Sequence, residues 1–248
     1  MLLKTPVGFA PHHAWDRWFF PLSIVVIWVV ILMGFVPQII HRIARGEPNY
    51  PLIIYLHAAA FIGWLVLLSA QEGFIRLRRY DIHRRVGAFG AVLAVVMLVL
   101  GPWAAIVAEQ VHFGTPQGDP PFLSVEFSEM IVFILLVGSA IRLRCDAAAH
   151  KRLMLLAVLF LTTAGFGRWL FDPLHTLLGD GFLPFLVEFY GGTSVLVLGL
   201  GVYDLVTRKR LHPAYVAGAT LGLVTQVFAS WLYVNPEWKA IALKIIGH

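Results

Sequence analysis

Three side chains capable of acid–base or metal chemistry fall inside otherwise apolar segments at matching depth. His57 lies about six residues into one segment, Glu126 near the start of a second and Glu188 near the start of a third. Glu129 follows one turn below Glu126 on the same helical face. One imidazole with two or three carboxylates is a donor set for iron, manganese or zinc. Paired carboxylates can instead share a proton, because the charge of one raises the proton affinity of the other. Arg168 and Gln226 approach the same level from neighbouring segments and would support either arrangement from behind. An ion in hydrocarbon costs several kcal/mol, so an intramembrane carboxylate faces a partner, a bundle interior or a water-filled cavity. Simpler chemistry competes with this reading. A glutamate in the first turns of a helix is stabilised by the helix dipole and can snorkel to the interface. A hydrogen-bonded packing histidine accounts for His57 equally well.

A second set lies at the opposite ends of the segments. His83, His150 and His212 each stand just before an apolar run, and three imidazoles at one level could form a metal site. Asp81 and Asp146 read as N-caps of the helices that follow. Headgroup anchoring by histidine, arginine and lysine explains the same positions with less chemistry.

Membrane helices must position these groups. The chain has 248 residues, 59% hydrophobic and 13% charged, with a mean hydropathy of +0.79. A soluble domain would carry roughly 25% charge. Apolar stretches of bilayer-crossing length predict seven spans at 19–40, 51–71, 85–108, 123–143, 150–171, 183–206 and 213–234. The expected fold is an all-α integral membrane bundle in a single transmembrane domain. Residues 1–18, with Lys4, Pro6, Asp16 and Arg17, lack the apolar core of a secretory signal and are expected to remain as a cytoplasmic N-terminal segment. Residues 235–248 alternate apolar and basic side chains (Trp238, Lys239, Ile241, Lys244) and are expected to lie along the outer interface.

The chain also contains a copied hairpin. Residues 122–173 and 184–235 align without a gap at a constant offset of 62. Val125-Glu126-Phe127 maps onto Val187-Glu188-Phe189, His150 onto His212, and Trp169 onto Trp231. A weaker third copy precedes them, where Ile75-Arg76-Leu77-Arg78 matches Ile141-Arg142-Leu143-Arg144. The pattern predicts one leading helix plus three hairpins in a common orientation, with sites where the repeats meet. A duplicated hairpin can equally be a packing unit. Gly87/Gly90, Gly165/Gly167 and Gly218/Gly222 would let helix backbones approach closely.

Basic residues set the expected orientation. Arg76, Arg78, Arg79, Arg84 and Arg85 follow the second span, Arg142, Arg144, Lys151 and Arg152 the fourth, and Arg208, Lys209 and Arg210 the sixth. The loops after the third and fifth spans carry no lysine or arginine, and Arg42 and Arg45 in the first external loop run against the pattern but are outvoted by three loops. This places the N-terminus in the cytoplasm and the C-terminus in the periplasm of a bacterial inner membrane. The net charge of +5 therefore reflects contact with anionic headgroups and is poor evidence for nucleic acid, which is not expected as a partner. Trp18, Trp103, Trp169, Trp231 and Tyr233 read as the interfacial aromatic belt. Cys145, the lone cysteine, excludes an intrachain disulfide.

Absences narrow the chemistry further. The seventh span has no lysine for a retinal Schiff base. HExxH, GxSxG, phosphate-loop and dinucleotide-glycine patterns are all missing, which demotes hydrolase and nucleotide-driven readings.

Leu56-His57-Ala58-Ala59-Ala60-Phe61, Gln71, His83-Arg84-Arg85-Val86-Gly87 and His150-Lys151-Arg152-Leu153-Met154 resemble segments of uncharacterised polytopic bacterial inner-membrane proteins. That resemblance implies no activity. A fainter one, to haem membrane proteins of the cytochrome b561 type, implies bis-histidine haem b and transmembrane electron transfer. The chain departs from that pattern because only His57 is well inside a span, so His112, His175 or an inner-boundary histidine would have to be the second ligand.

The leading expectation is an outer-leaflet site of His57, Glu126, Glu188 and Glu129, supported by Arg168 and Gln226. It would bind a transition metal or relay protons for redox chemistry or small-solute transport. The competing class is a non-catalytic accessory or assembly subunit of a larger membrane complex. A homo-oligomer fits either class, and haem b is the minority reading.

Overall fold

Backbone amides find no water in hydrocarbon, so apolar segments of bilayer length satisfy them internally as helices. The computed structural model describes residues 9–248, and among these every regular element is helical. Lys4 and Pro6 of the N-terminal segment lie outside the described residues. The helices are α1 (Asp16–Ala44), α2 (Leu52–Arg76), α3 (Tyr80–His112), α4 (Leu123–Arg142), α5 (Ala147–Leu161), α6 (Thr163–Leu178), α7 (Phe182–Arg208), α8 (Pro213–Val234) and α9 (Pro236–Ile246). A 3₁₀ turn, Pro120–Phe122, leads into α4.

Six of these helices are long and apolar enough to cross a membrane, and α5 with α6, bent by 41°, make a seventh candidate. The predicted span 150–171 is thus a broken one. At the break the Thr162 hydroxyl donates to the Leu159 carbonyl at 2.6 Å and the Thr163 hydroxyl to the Phe160 carbonyl at 3.0 Å. These bonds satisfy carbonyls near the end of α5 and favour a bend. The broken pair still traverses the bundle alongside α7. Arg152, near the start of α5, bonds Asp204 near the end of α7, while His175, in the last turn of α6, meets Glu188 in the second turn of α7.

Two helix starts differ in how they are capped. Asp146 caps α5, its Oδ1 accepting the amides of Ala148 and Ala149 at 3.0 and 3.1 Å. Asp81 does not cap α3: that helix begins at Tyr80, before the predicted 85, and the Asp81 carboxylate pairs with Arg79 at 3.2 Å.

The helices pack as neighbours α2 on α3, α3 on α4, α4 on α5 and α8, and α6 on both α1 and α7. The α1–α6 crossing is a backbone contact: a Cβ on Gly34 would lie 2.4 Å from the Gly165 carbonyl oxygen. Gly222 of α8 instead makes room for a side chain, the ring of Phe160. Phe133, Leu136, Leu156 and Leu200 form the buried centre. Leu22, Val92, Val99, Val195, Leu198 and Val224 project outward, an apolar exterior suited to lipid.

The C-terminal segment is the helix α9, folded over the end of α3 and the 3₁₀ turn. Trp238 Nε1 donates to the Pro121 carbonyl at 2.8 Å, and Gln110 Nε2 to the Ile246 carbonyl at 3.1 Å.

Candidate functional site

His57 from α2, Glu126 and Glu129 from the first two turns of α4, and Arg168 from α6 come together. Residues 126 and 129 are three apart, so α4 presents both carboxylates on one face. The Arg168 guanidinium interacts electrostatically with both of them and with His57. It also donates to the Ala164 carbonyl at 2.9 Å and lies 4.6 Å from the centre of the Phe35 ring on α1. Arg168 is exposed while His57, Glu126 and Glu129 beside it are half-buried, so the four line a recess open at the helix surface.

The recess is short of hydrogen-bond donors. Glu126 Oε2, Glu129 Oε1 and His57 Nδ1 are buried without a partner among the described residues. The Glu129 carboxylate does reach the Thr163 hydroxyl at the start of α6, where the positive end of that half-helix favours an anion. Arg168 is the cation whose field both carboxylates feel.

A trail of acids leads from Glu126 to the end of the bundle covered by α9. Glu109 and Asp119 both act on Glu126 electrostatically. The Asp119 amide donates to Glu109 Oε2 at 2.7 Å, and the Tyr233 hydroxyl donates to Asp119 Oδ2 at 2.8 Å. Burial pushes the Asp119 carboxyl above its ordinary range, even though the Tyr233 hydroxyl and Lys239 favour its anion.

Glu188 sits elsewhere than expected. It is buried, and its Oε1 lies 3.1 Å from His175 Nδ1 on α6. The helix face that carries it packs on the last turn of α6. Gln226 is buried in α8, where its carbonyl accepts from Ser230 Oγ at 2.8 Å. Among the described residues no three His, Cys, Asp or Glu side chains converge at metal-ligand spacing.

The three inner-face histidines do not share one point. His83 and His150 are neighbours, with ring centres 6.3 Å apart, and His150 Nδ1 lies 2.8 Å from the Ala140 carbonyl. His212 instead caps α8, its Nδ1 accepting the Ala214 amide at 3.1 Å, with Phe9 edge-on at 4.7 Å. Burial, with the nearby Arg152 charge, pushes its imidazole down to about 4.

An ion-pair network at this same end was not foreseen. Arg152 grips Asp204 through two bonds of 2.8 and 2.5 Å, with both side chains fully buried. Asp16 accepts from Lys151 at 2.7 Å, from Arg208 at 2.8 and 2.9 Å, and from the Tyr203 hydroxyl. Phe9 packs beneath both guanidiniums, and Arg208 Nε also bonds the Ala10 carbonyl. The usable signal was Asp204 itself, an acid isolated within the long apolar run of α7.

Compared with known proteins, the chain matches no family model, no curated protein and no solved structure. Fold and side chains together define a helical membrane bundle with ionisable groups gathered toward both of its ends.

Proposed function

We propose that this is a multi-pass protein of a bacterial inner membrane whose recess between α2, α4 and α6 exchanges protons, driving redox chemistry or the movement of a small solute. The observation that carries the reading is a pair of half-buried carboxylates: Glu126 and Glu129 lie in the field of one guanidinium, Arg168, and each keeps an oxygen with no donor. A proton is the simplest carrier that cancels the second charge. Glu109 and Asp119 then offer acceptors along the way out, toward Tyr233. A metal held by His57, Glu126 and Glu188 has less support, because His175 engages Glu188. Haem b has less support too, since His112 packs on Tyr50 at 6.4 Å and His175 on Glu188.

The helix ends support the orientation. Arg76, Arg142 and Arg208 close α2, α4 and α7 at the end where Asp16 begins α1, which is the cytoplasmic end under the positive-inside rule. Seven crossings then leave α9 in the periplasm. The 62-residue repeat has a counterpart in the packing: α4 lies on α8 as its partner α7 lies on α6.

The test is proton uptake into liposomes carrying the purified protein, driven by a potassium diffusion potential and read by an internal pH dye. Uptake above empty vesicles should fall at least tenfold in Glu126→Gln and in Glu129→Gln, with insertion unchanged. Infrared spectra should also lose the band of a protonated carboxyl group. Wild-type uptake in the double variant would sink the reading.

A further inference from the structure

The break between α5 and α6 gathers more oxygen than it has protons to share. Thr162 and Thr163 on the break and Thr193 on α7 are all buried. Their hydroxyls form a chain, Thr162 Oγ1 to Thr193 Oγ1 at 2.9 Å and Thr163 Oγ1 to Thr193 Oγ1 at 3.2 Å. The Leu159 and Phe160 carbonyls accept two of the three hydroxyl protons. The Glu129 carboxylate borders the same spot through Thr163, and its Oε1 has no donor at all. Tyr190, one turn before Thr193 on α7, is only 2% exposed. The Glu129 charge acts on its hydroxyl, which approaches Ser230 but makes no well-formed hydrogen bond.

We propose that this oxygen cluster, Glu129 with the hydroxyls of Thr162, Thr163, Thr193 and Tyr190, is a binding site for a sodium ion. Hydroxyl, carbonyl and carboxylate oxygens are ligands for a hard cation. Broken membrane helices bind such ions through the carbonyl end of the first half, while the amide end of the second half steadies an anion. Here α5 ends at Leu161 and α6 begins at Thr163, whose hydroxyl neighbours Glu129 of α4, so both roles have a candidate.

Charge selects a monovalent ion. Within the pair Glu126 and Glu129, the Arg168 charge offsets one carboxylate and leaves one for the cation to cancel. A divalent ion would reverse the imbalance rather than remove it. Size selects a small ion, because oxygens 2.9 and 3.2 Å apart form the edge of a tight shell. The inference rests on the recess reading only in that Glu129 carries the charge Arg168 leaves over. Sodium and a proton then compete for Glu129, while Glu126 stays with the guanidinium.

Binding of radioactive sodium to the detergent-purified protein tests this, with choline replacing sodium at constant ionic strength and potassium as competitor. About one sodium per chain should bind saturably, and potassium should displace it at least tenfold less well than sodium. Thr193→Val and Glu129→Gln should abolish binding. Tyr190→Phe removes only a hydroxyl without a good partner, so it should fold normally and weaken binding about tenfold. Absence of saturable binding in the wild type, or unchanged binding in both Thr193→Val and Tyr190→Phe, would overturn the site. Proton uptake is measured separately in sodium-free choline buffer. Sodium binding that persists where proton uptake fails supports this site and overturns the recess reading instead.

Discussion

Arg152 and Asp204 lie 52 residues apart in sequence and meet through two hydrogen bonds where neither side chain touches solvent. Removing one partner leaves the other charge buried and uncompensated, a loss of about 3–5 kcal/mol, whereas replacing both by apolar groups of similar volume is near neutral. Asp204→Ala should therefore lower the unfolding midpoint sharply in detergent. Asp204→Leu combined with Arg152→Met should recover most of it. A double variant no better than the single one would show that the pair is net stabilising.

Asp16 ties the N-terminal segment to two helices, since Lys151 is on α5 and Tyr203 and Arg208 are on α7. Asp16→Ala takes the acceptor from both cations at once. Residues 9–15 should then lose their anchor, with amide exchange there rising at least tenfold while the middle of α7 stays protected. Uniform loosening of the whole bundle would mean that Asp16 holds the fold rather than the segment.

The apolar spans were legible because hydropathy sums over some twenty residues and tolerates a few polar ones. Gly165, Gly218 and Gly222 were legible for a related reason, since small residues inside a span serve close packing. The break at Thr162 was hidden because threonine barely alters the hydropathy of its window. Depth placed Glu126 and Glu188 at one level, but the direction each faces is set by packing. At the offset of 62 the repeat puts Ser230 where the first copy has Arg168, so Glu188 has no equivalent arginine and meets His175 instead. Arg152 and Arg208 read as headgroup anchors because Asp16 and Asp204 are remote in sequence and only the fold brings them near.

His212 gives a pH dependence with a defined sign. Burial and the Arg152 charge hold its value near 4 in the folded state, against 6.5 ordinarily, and the neutral ring's Nδ1 accepts the Ala214 amide. The unfolded chain binds the proton more readily. Stability from this residue is therefore complete above pH 6.5 and is lost as pH falls from there toward 4, up to roughly 3 kcal/mol at about 1.4 kcal/mol per unit. His212→Asn keeps a capping acceptor without a titrating ring. It should flatten this limb of the midpoint-against-pH curve, and an unchanged limb would assign the titration to other groups.

Gly34 and Gly222 separate two kinds of close contact. A Cβ on Gly222 would meet the ring of Phe160, and a ring can be made smaller. A Cβ on Gly34 would meet the Gly165 backbone, at 2.4 Å from its carbonyl oxygen and 2.7 Å from its Cα, which no substitution can trim. Overpacking of this sort costs about 1–3 kcal/mol. Gly222→Ala should thus be destabilising but rescued by Phe160→Leu, whereas Gly34→Ala should resist rescue by any side-chain change on α6. Gly73, with open space around it, should accept alanine without loss. The Gly34 contact also reaches the recess, because α6 carries Arg168 one turn beyond Gly165 and α1 supplies Phe35 beneath the guanidinium. Gly34→Ala should therefore reduce proton uptake along with stability, while rescued Gly222→Ala keeps it. Full uptake in a folded Gly34→Ala protein would show that α1 can separate from α6 without disturbing Arg168.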